Sequence, residues 1–370
     1  MKKIGIDARL YFQTGVGVYL RNFLHYLLQA VPAETMFYLY VLPEDRSKIT
    51  IEHPQFTIRT VAARWHSVAE QTVFYQALMA DNLDLMHFTY FSYPVLYKRP
   101  FIATIHDVTP ILFKTGKAST RSPVFYEIKH QAFKHVLSEQ VKNAKAIITP
   151  TKTVKKQLVE LYGKNVADKI TPIYEGVNYE LLKTKPNNEL TKQFEKKKLI
   201  YIGNFYPHKN VERLIEGFSD MQRQDETGDL LKYELVLIGP DNHFSDVLKR
   251  MIGLDSIINV KFYHNATNED LVFFYQHAEA LINPSLSEGF GLPLIEATYF
   301  GTPVIASDIA VFHELLGEAY TSFDPTSKTA ITNSIKSFIQ TSKHPKVELS
   351  EMYSFEAMTA ETMKLYKKLS

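Results

Sequence analysis

The chain has no cysteine among its 370 residues. That absence excludes a disulfide framework, a thiolate metal site and a cysteine nucleophile, and it suits a reducing compartment. No uninterrupted apolar run reaches roughly 18 residues, so no helix is expected to span a bilayer. Near the start, Asp7 and Arg9 break the apolar run before it attains the length of a secretory signal. Net charge is small as well: the formal value is +2, too mild to imply a nucleic-acid partner. Asp-x-Asp, H-E-x-x-H and G-x-S-x-G patterns do not occur, which leaves metal hydrolysis and serine-triad chemistry without support. Pro/Gly/Ser-rich tracts are also missing, and with 45% hydrophobic and 22% charged residues the chain can bury a core.

What is present is an alternation of short β-rich runs with segments of helical period, the pattern of parallel-sheet α/β architecture. In the first half "KIGIDA", "FYLYVLP", "LDLMHFT", "FIATIHD" and "AKAIITP" read as strands. "VYLRNFLHYLLQA", "SVAEQTVFYQALMA" and "KTVKKQLVELYG" read as helices. The polar interval "KTKPNNELTKQFEKKK" then predicts a domain boundary. Beyond it the alternation restarts with strands "LIYIGN", "YELVLIGP", "NVKFYHN", "EALINPS" and "TPVIAS". Helices "VERLIEGFSDM", "NEDLVFFYQHA" and "PLIEATYFG" lie among them. Expected domains are therefore 1–183 and 184–352, followed by a terminal helix, 353–370, with Phe355, Met358, Thr362, Met363 and Tyr366 near one face. Ligands of open α/β units bind at the carboxyl ends of the strands.

Four segments place reactive residues at such ends. In "SLSEGFGLPLIEA", Gly289 and Gly291 permit a tight turn, and Pro293 suits the first helical position, so Glu296 is expected in the first helical turn. Free N–H groups at that helix start favour phosphate, while Glu288 and Glu296 are suited to sugar or ribose hydroxyls. A plainer alternative stays open on the residues alone: Glu296 complements the helix dipole, worth about 0.3–1 kcal/mol, and the glycines only turn the chain. In "YIGNFYPHKNVERLIEGF", Lys209 precedes a helix, where it could meet a diphosphate leaving group. In "DARLYFQTGVGVYLRNF", Gly15 and Gly17 open a helix, but Leu20 holds the place of the third glycine of a dinucleotide fingerprint. That counts against an NAD-dependent oxidoreductase. In "ATIHDVTP", His106 and Asp107 follow a strand.

Together these segments resemble the retaining glycosyltransferases of family 4, which have the GT-B fold of two Rossmann-like doubly wound domains facing across a cleft. "PSLSEGFGLPLIEATYFGTPVIASDI" is similar to that family's donor signature, with Glu288 and Glu296 as its E-x7-E pair. The other three segments and "YSFEAMTAETMKLYKKL" follow in family order. The resemblance implies a nucleotide-sugar donor held by the C-terminal domain, a glycan or lipid-linked acceptor held by the N-terminal one, and no metal or other cofactor. Glu296 would bind the ribose, Glu288 the donor sugar and Lys209 the diphosphate. Backbone N–H groups around Gly289, Phe290, Gly291 and Leu292 would meet phosphate and sugar. Gly15 and Gly17 would form the facing loop, His106 would contact the donor sugar, and His264 and Asn265 would lie beside the base. Asn204 stands where many members carry Arg, with Arg9 and Arg213 as substitutes by sequence position. Mannose from GDP-mannose is the first expectation, a UDP-linked sugar the next, and a non-catalytic sugar-nucleotide sensor the alternative. From Lys114 to Lys169 the chain carries 12 Lys/Arg against 4 Asp/Glu, which suits an anionic membrane surface. The expected location is cytoplasmic, peripheral at the inner membrane face if that stretch docks.

Overall fold

The computed structural model describes residues 1–113, 123–341, 343–344 and 349–370. Lys114, Lys117 and Arg121 of the basic stretch lie outside them. The chain divides into two compact units. One comprises residues 1–113, 123–176 and 351–370, and the other 177–350.

The first unit is built on a seven-stranded sheet of β1 (Lys2–Asp7), β2 (Thr35–Val41), β3 (Phe56–Thr60), β4 (Leu85–Phe88), β5 (Phe101–Thr104), β6 (Ala146–Thr149) and β7 (Ile170–Pro172), in the order β3-β2-β1-β4-β5-β6-β7. Every pairing is parallel. β4, β5 and β6 are buried along their whole length, which is why they read as apolar runs without alternation. The second unit holds β8 (Lys197–Ile202), β9 (Tyr233–Ile238), β10 (Val260–Tyr263), β11 (Ala278–Asn283), β12 (Val304–Ser307) and β13 (Thr321–Phe323), in the order β10-β9-β8-β11-β12-β13 and again all parallel. Both units are thus doubly wound. Strand order reverses between β1 and β4 in one sheet and between β8 and β11 in the other, and such reversals open a crevice at the carboxyl ends.

Some connecting helices are not announced by the sequence pattern. Helix His243–Leu254 separates β9 from β10, two strands whose signals follow one another along the chain. A parallel pair needs that crossover, because a tight turn cannot return the chain to the same edge. The helical segment "SVAEQTVFYQALMA" begins with a π-helical turn, Glu70–Phe74, before the α-helix Tyr75–Asp81. The polar interval near residue 190 packs within the second unit: Asn187 N–H donates to Glu269 O at 3.0 Å, its Nδ2 donates to Asp270 Oδ1 at 2.8 Å, and Leu190 and Phe194 are buried.

The terminal helix Phe355–Leu369 belongs to the first unit and packs on helix Val16–Gln29. Phe355, Met358, Thr362 and Tyr366 are buried, and Met363 is half-buried. Tyr366 meets the Phe23 ring edge-on, and its hydroxyl lies 2.7 Å from His87 Nδ1. Burial lowers the His87 pKa to about 3, so this imidazole stays neutral in the core.

Candidate active site

In the second unit, β8 leaves its sheet through Gly203, at φ 154°. A Cβ on Gly239 would stand 2.2 Å from the Gly203 carbonyl oxygen, so the ends of β8 and β9 meet backbone to backbone. The loop after β8 is tied to its neighbours by Asn210, a left-handed residue whose Nδ2 donates to Pro284 O at 3.0 Å and Pro325 O at 2.8 Å. Leu286 N–H donates to His208 O at 2.8 Å, joining that loop to the one after β11. These ties bring Lys209 and Glu288 together: Nζ lies 2.7 Å from Oε1, and Ser285 Oγ donates to the same oxygen at 2.8 Å. Burial pushes the Glu288 carboxyl up, but the Lys209 charge, the Lys209 and Ser285 hydrogen bonds and the His208 charge outweigh it, and the carboxyl stays below its ordinary range. Along the chain Lys209 and Glu288 have separate tasks, and the structure makes them one ion pair at the β8/β11 switch point.

Glu296 lies five residues into helix Leu292–Tyr299, in its second turn rather than its first, because Leu292 takes the first position and Pro293 the second. The preceding residue, Gly291, is left-handed at φ 103°, and its Cβ would press on Phe312 and Leu294 at 3.2 and 3.3 Å. Only glycine fits that turn without strain. Glu296 is buried, which places it beyond any simple dipole-capping role. Desolvation raises its carboxyl to about 7, opposed by a 2.6 Å hydrogen bond from Tyr275 Oη and by the Asn178 N–H. Phe290, in the loop, is buried, and Asn204, half-buried, has its carbonyl bonded by Tyr201 Oη. His264 and Asn265 follow edge strand β10, two strands from the Lys209 loop. The His264 Nδ1–H donates to Gly239 O at 2.9 Å, and Nε2 lies 3.5 Å from Asp241 Oδ1. Arg213 is a brace: its Nη1 donates to Asn210 Oδ1 at 2.7 Å and Pro325 O at 3.0 Å.

The first unit corrects one expectation. Arg9 is no spare cation, because it is 1% exposed and its donors are engaged by Asp7 at 2.7 and 2.8 Å, Glu70 at 2.8 Å and Ala63 O at 2.9 Å. Ser92 Oγ also bonds Glu70, and the Phe74 ring faces the guanidinium at 3.9 Å. Gly15, at φ 70° ahead of helix Val16–Gln29, has open space where a Cβ would stand. Gly17 has none, since Tyr11 O would be 2.6 Å away, so its small size serves packing. His106, after β5, presents Nε2 to Thr89 O at 3.0 Å and Nδ1 to Glu175 Oε1 at 3.1 Å, with its ring edge-on to Tyr19. Both ring nitrogens are therefore spent on protein groups. Glu175 and Tyr275 belong to no motif of the sequence, and Ser285 lies within the Glu288 segment without a role of its own there. The only signal for Glu175 is its place just past a strand, in "PIYEGV". Among the described residues no group of three or more His, Asp or Glu side chains could hold a metal ion.

Residues 14–181 match the family model described as Glycosyltransferase Family 4, and residues 183–351 that described as Glycosyl transferases group 1. The O-antigen chain mannosyltransferase RfbU of Salmonella typhimurium is 28% identical over 263 residues, covering 70% of this chain and 66% of that protein. The O-antigen chain mannosyltransferase B of Escherichia coli is 25% identical over 281 residues, covering 72% and 70%. Among solved structures, sucrose-phosphate synthase from Thermosynechococcus elongatus superposes with a TM-score of 0.76 at 19% identity, covering 100% of this chain and 99% of that one. Anabaena HepE, solved with UDP and glucose, gives 0.73 at 15% identity and full coverage of both chains. With two doubly wound parallel sheets, the chain is a relative of the GT-B-fold glycosyltransferases, kin to both matched families and to several mannosyltransferases.

Proposed function

We propose that the protein is a retaining glycosyltransferase that moves a hexose from a nucleotide diphosphate sugar to a hydroxyl of a glycan or lipid-linked acceptor. GDP-mannose is the first donor to test, a choice supported by the two O-antigen mannosyltransferase relatives. The observation that carries the reading is the Lys209–Glu288–Ser285 group at the strand-order reversal of the second sheet. A donor diphosphate would draw Lys209 to itself, and the Glu288 carboxylate so released would accept hydroxyls of the hexose. In front-face attack, the bond from C1 to the diphosphate breaks as the acceptor oxygen bonds C1 on the same face, and the acceptor proton passes to the departing phosphate. The protein then supplies position and leaving-group stabilisation. Asn204 offers no cation and Arg9 is sealed in the core, so that stabilisation falls to Lys209 and the N–H groups at the start of helix Leu292–Tyr299.

The test is a donor panel read by nucleotide release with glycan and lipid-linked acceptors. Lys209→Ala and Glu288→Ala are each expected to lower turnover about 10²- to 10³-fold; near-parental rates in both would refute the assignment. We propose further a cytoplasmic location, with the basic stretch seated on an anionic membrane. Co-sedimentation with phosphatidylglycerol vesicles at low salt is the expected result, and a protein that stays in the supernatant there would rule the seat out.

A further inference from the structure

Glu288 is partly buried and Glu296 buried, and the two acids are held in opposite ways. Glu288 has an ammonium beside it, whereas the groups facing Glu296 are neutral donors: the Tyr275 hydroxyl from helix Asn268–His277 and the Asn178 N–H ahead of helix Tyr179–Lys183. No Lys, Arg or His charge acts on Glu296 among the described residues. Tyr275 cannot swing away. It is 1% exposed, its ring stacks on Phe300 with centroids 5.6 Å apart and planes 9° apart, and its carbonyl accepts the Thr302 hydroxyl. Thr302 N–H is in turn fixed to Ala297 O at 2.9 Å, one residue beyond Glu296. Side chain and backbone of Tyr275 are therefore both anchored to the segment that carries the acid.

We propose that Tyr275 is a positioning residue for donor binding, its hydroxyl fixing the Glu296 carboxylate so that it accepts both hydroxyls of a vicinal diol, the ribose of a nucleotide. This rests on the reading of Glu296 as the ribose acid. A carboxylate can accept from two hydroxyls at once, while a protonated acid must spend one oxygen as a donor. Burial drives Glu296 toward the neutral form, and the Tyr275 hydrogen bond is the larger of the two contacts opposing it. Nucleotide affinity is therefore full above the Glu296 pKa and lost as pH falls through it. Taking the hydroxyl away raises that pKa and moves the loss to higher pH.

The test uses GDP and UDP as probes, titrated calorimetrically from pH 5.5 to 8.5 into the parental protein, Tyr275→Phe and Glu296→Gln. Phenylalanine keeps the stack on Phe300. Glu296→Gln retains the titration of the nucleotide phosphates and serves as the reference. The midpoint of the affinity loss in Tyr275→Phe is expected to shift up by about one pH unit, a tenfold change in the ionisation constant. Its Kd at pH 7 should then be several-fold weaker, converging on the parental value at pH 8.5. Weakening by one factor at every pH would mark Tyr275 as merely structural and overturn the inference. If Glu296→Gln binds both nucleotides as the parent does, the ribose reading falls and the inference with it. If Glu296→Gln weakens binding while Tyr275→Phe follows the parental curve, the inference alone falls.

Discussion

Arg9 and Lys209 carry the same charge, and by sequence position Arg9 stands as a substitute cation beside Lys209, which is expected to meet the diphosphate. Burial separates their roles. Arg9 is closed in by two carboxylates and an aromatic ring, whereas Lys209 keeps 20% of its side chain exposed and shares a single acid. Replacing Arg9 leaves Asp7 and Glu70 buried without their counter-charge, a loss of about 3–5 kcal/mol for a broken buried pair. Arg9→Met is therefore expected to lower the stability of the first unit by that amount in a urea titration; a change below about 1 kcal/mol would show that the cluster relaxes around the gap. Spacing makes Lys209, Glu288 and Glu296 legible, because a motif is local. Glu175 and Tyr275 carry no such pattern: each meets its partner only through the fold.

At the scale of elements, the strand–loop–helix units that carry the candidate residues are readable, and their boundaries less so. Proline is favoured at the first helical position, yet Leu292 occupies it here, and that one-residue offset puts Glu296 in the second turn, beside Tyr275. The two glycines ahead of the first helix illustrate the same limit. Gly15 is left-handed with open space, as a ligand-facing loop requires, and Gly17 is small because the backbone of residues 10 and 11 lies against it. Both read alike in a sequence. The helix His243–Leu254 stays hidden although its amphipathic period and Asn242 cap are ordinary, since two strong strand signals flank it. The need of parallel neighbours for a crossover is the physical clue that recovers it.

The chain leaves the first unit after residue 176 and returns at 351, so that unit is completed only by residues 351–370. Gly176 lies against this return. A Cβ there would come 2.6 Å from Ser354 Cα and 2.7 Å from Phe355 N, and both segments belong to the first unit. Apolar periodicity announces the terminal helix, but its partner face is invisible in the sequence because helix Val16–Gln29 lies more than 300 residues earlier. Phe355, Met358 and Tyr366 are each 1% exposed or less, and at about 1.5–3 kcal/mol per large side chain their burial supplies roughly 4.5–9 kcal/mol. That is comparable to the whole stability of an ordinary domain, about 5–15 kcal/mol. Removing the helix also strands the buried His87 without its Tyr366 partner and uncovers Phe23. A chain ending at residue 350 is therefore expected to lose hydrogen-exchange protection in β1, β2 and β4 while β8, β9 and β11 keep theirs, because the second sheet and its core use none of the deleted side chains. Native-like protection of β1 in the shortened chain would show that the first unit holds its core without the helix, and that the burial of Phe355, Met358 and Tyr366 stabilises the helix's own docking rather than the sheet beneath it.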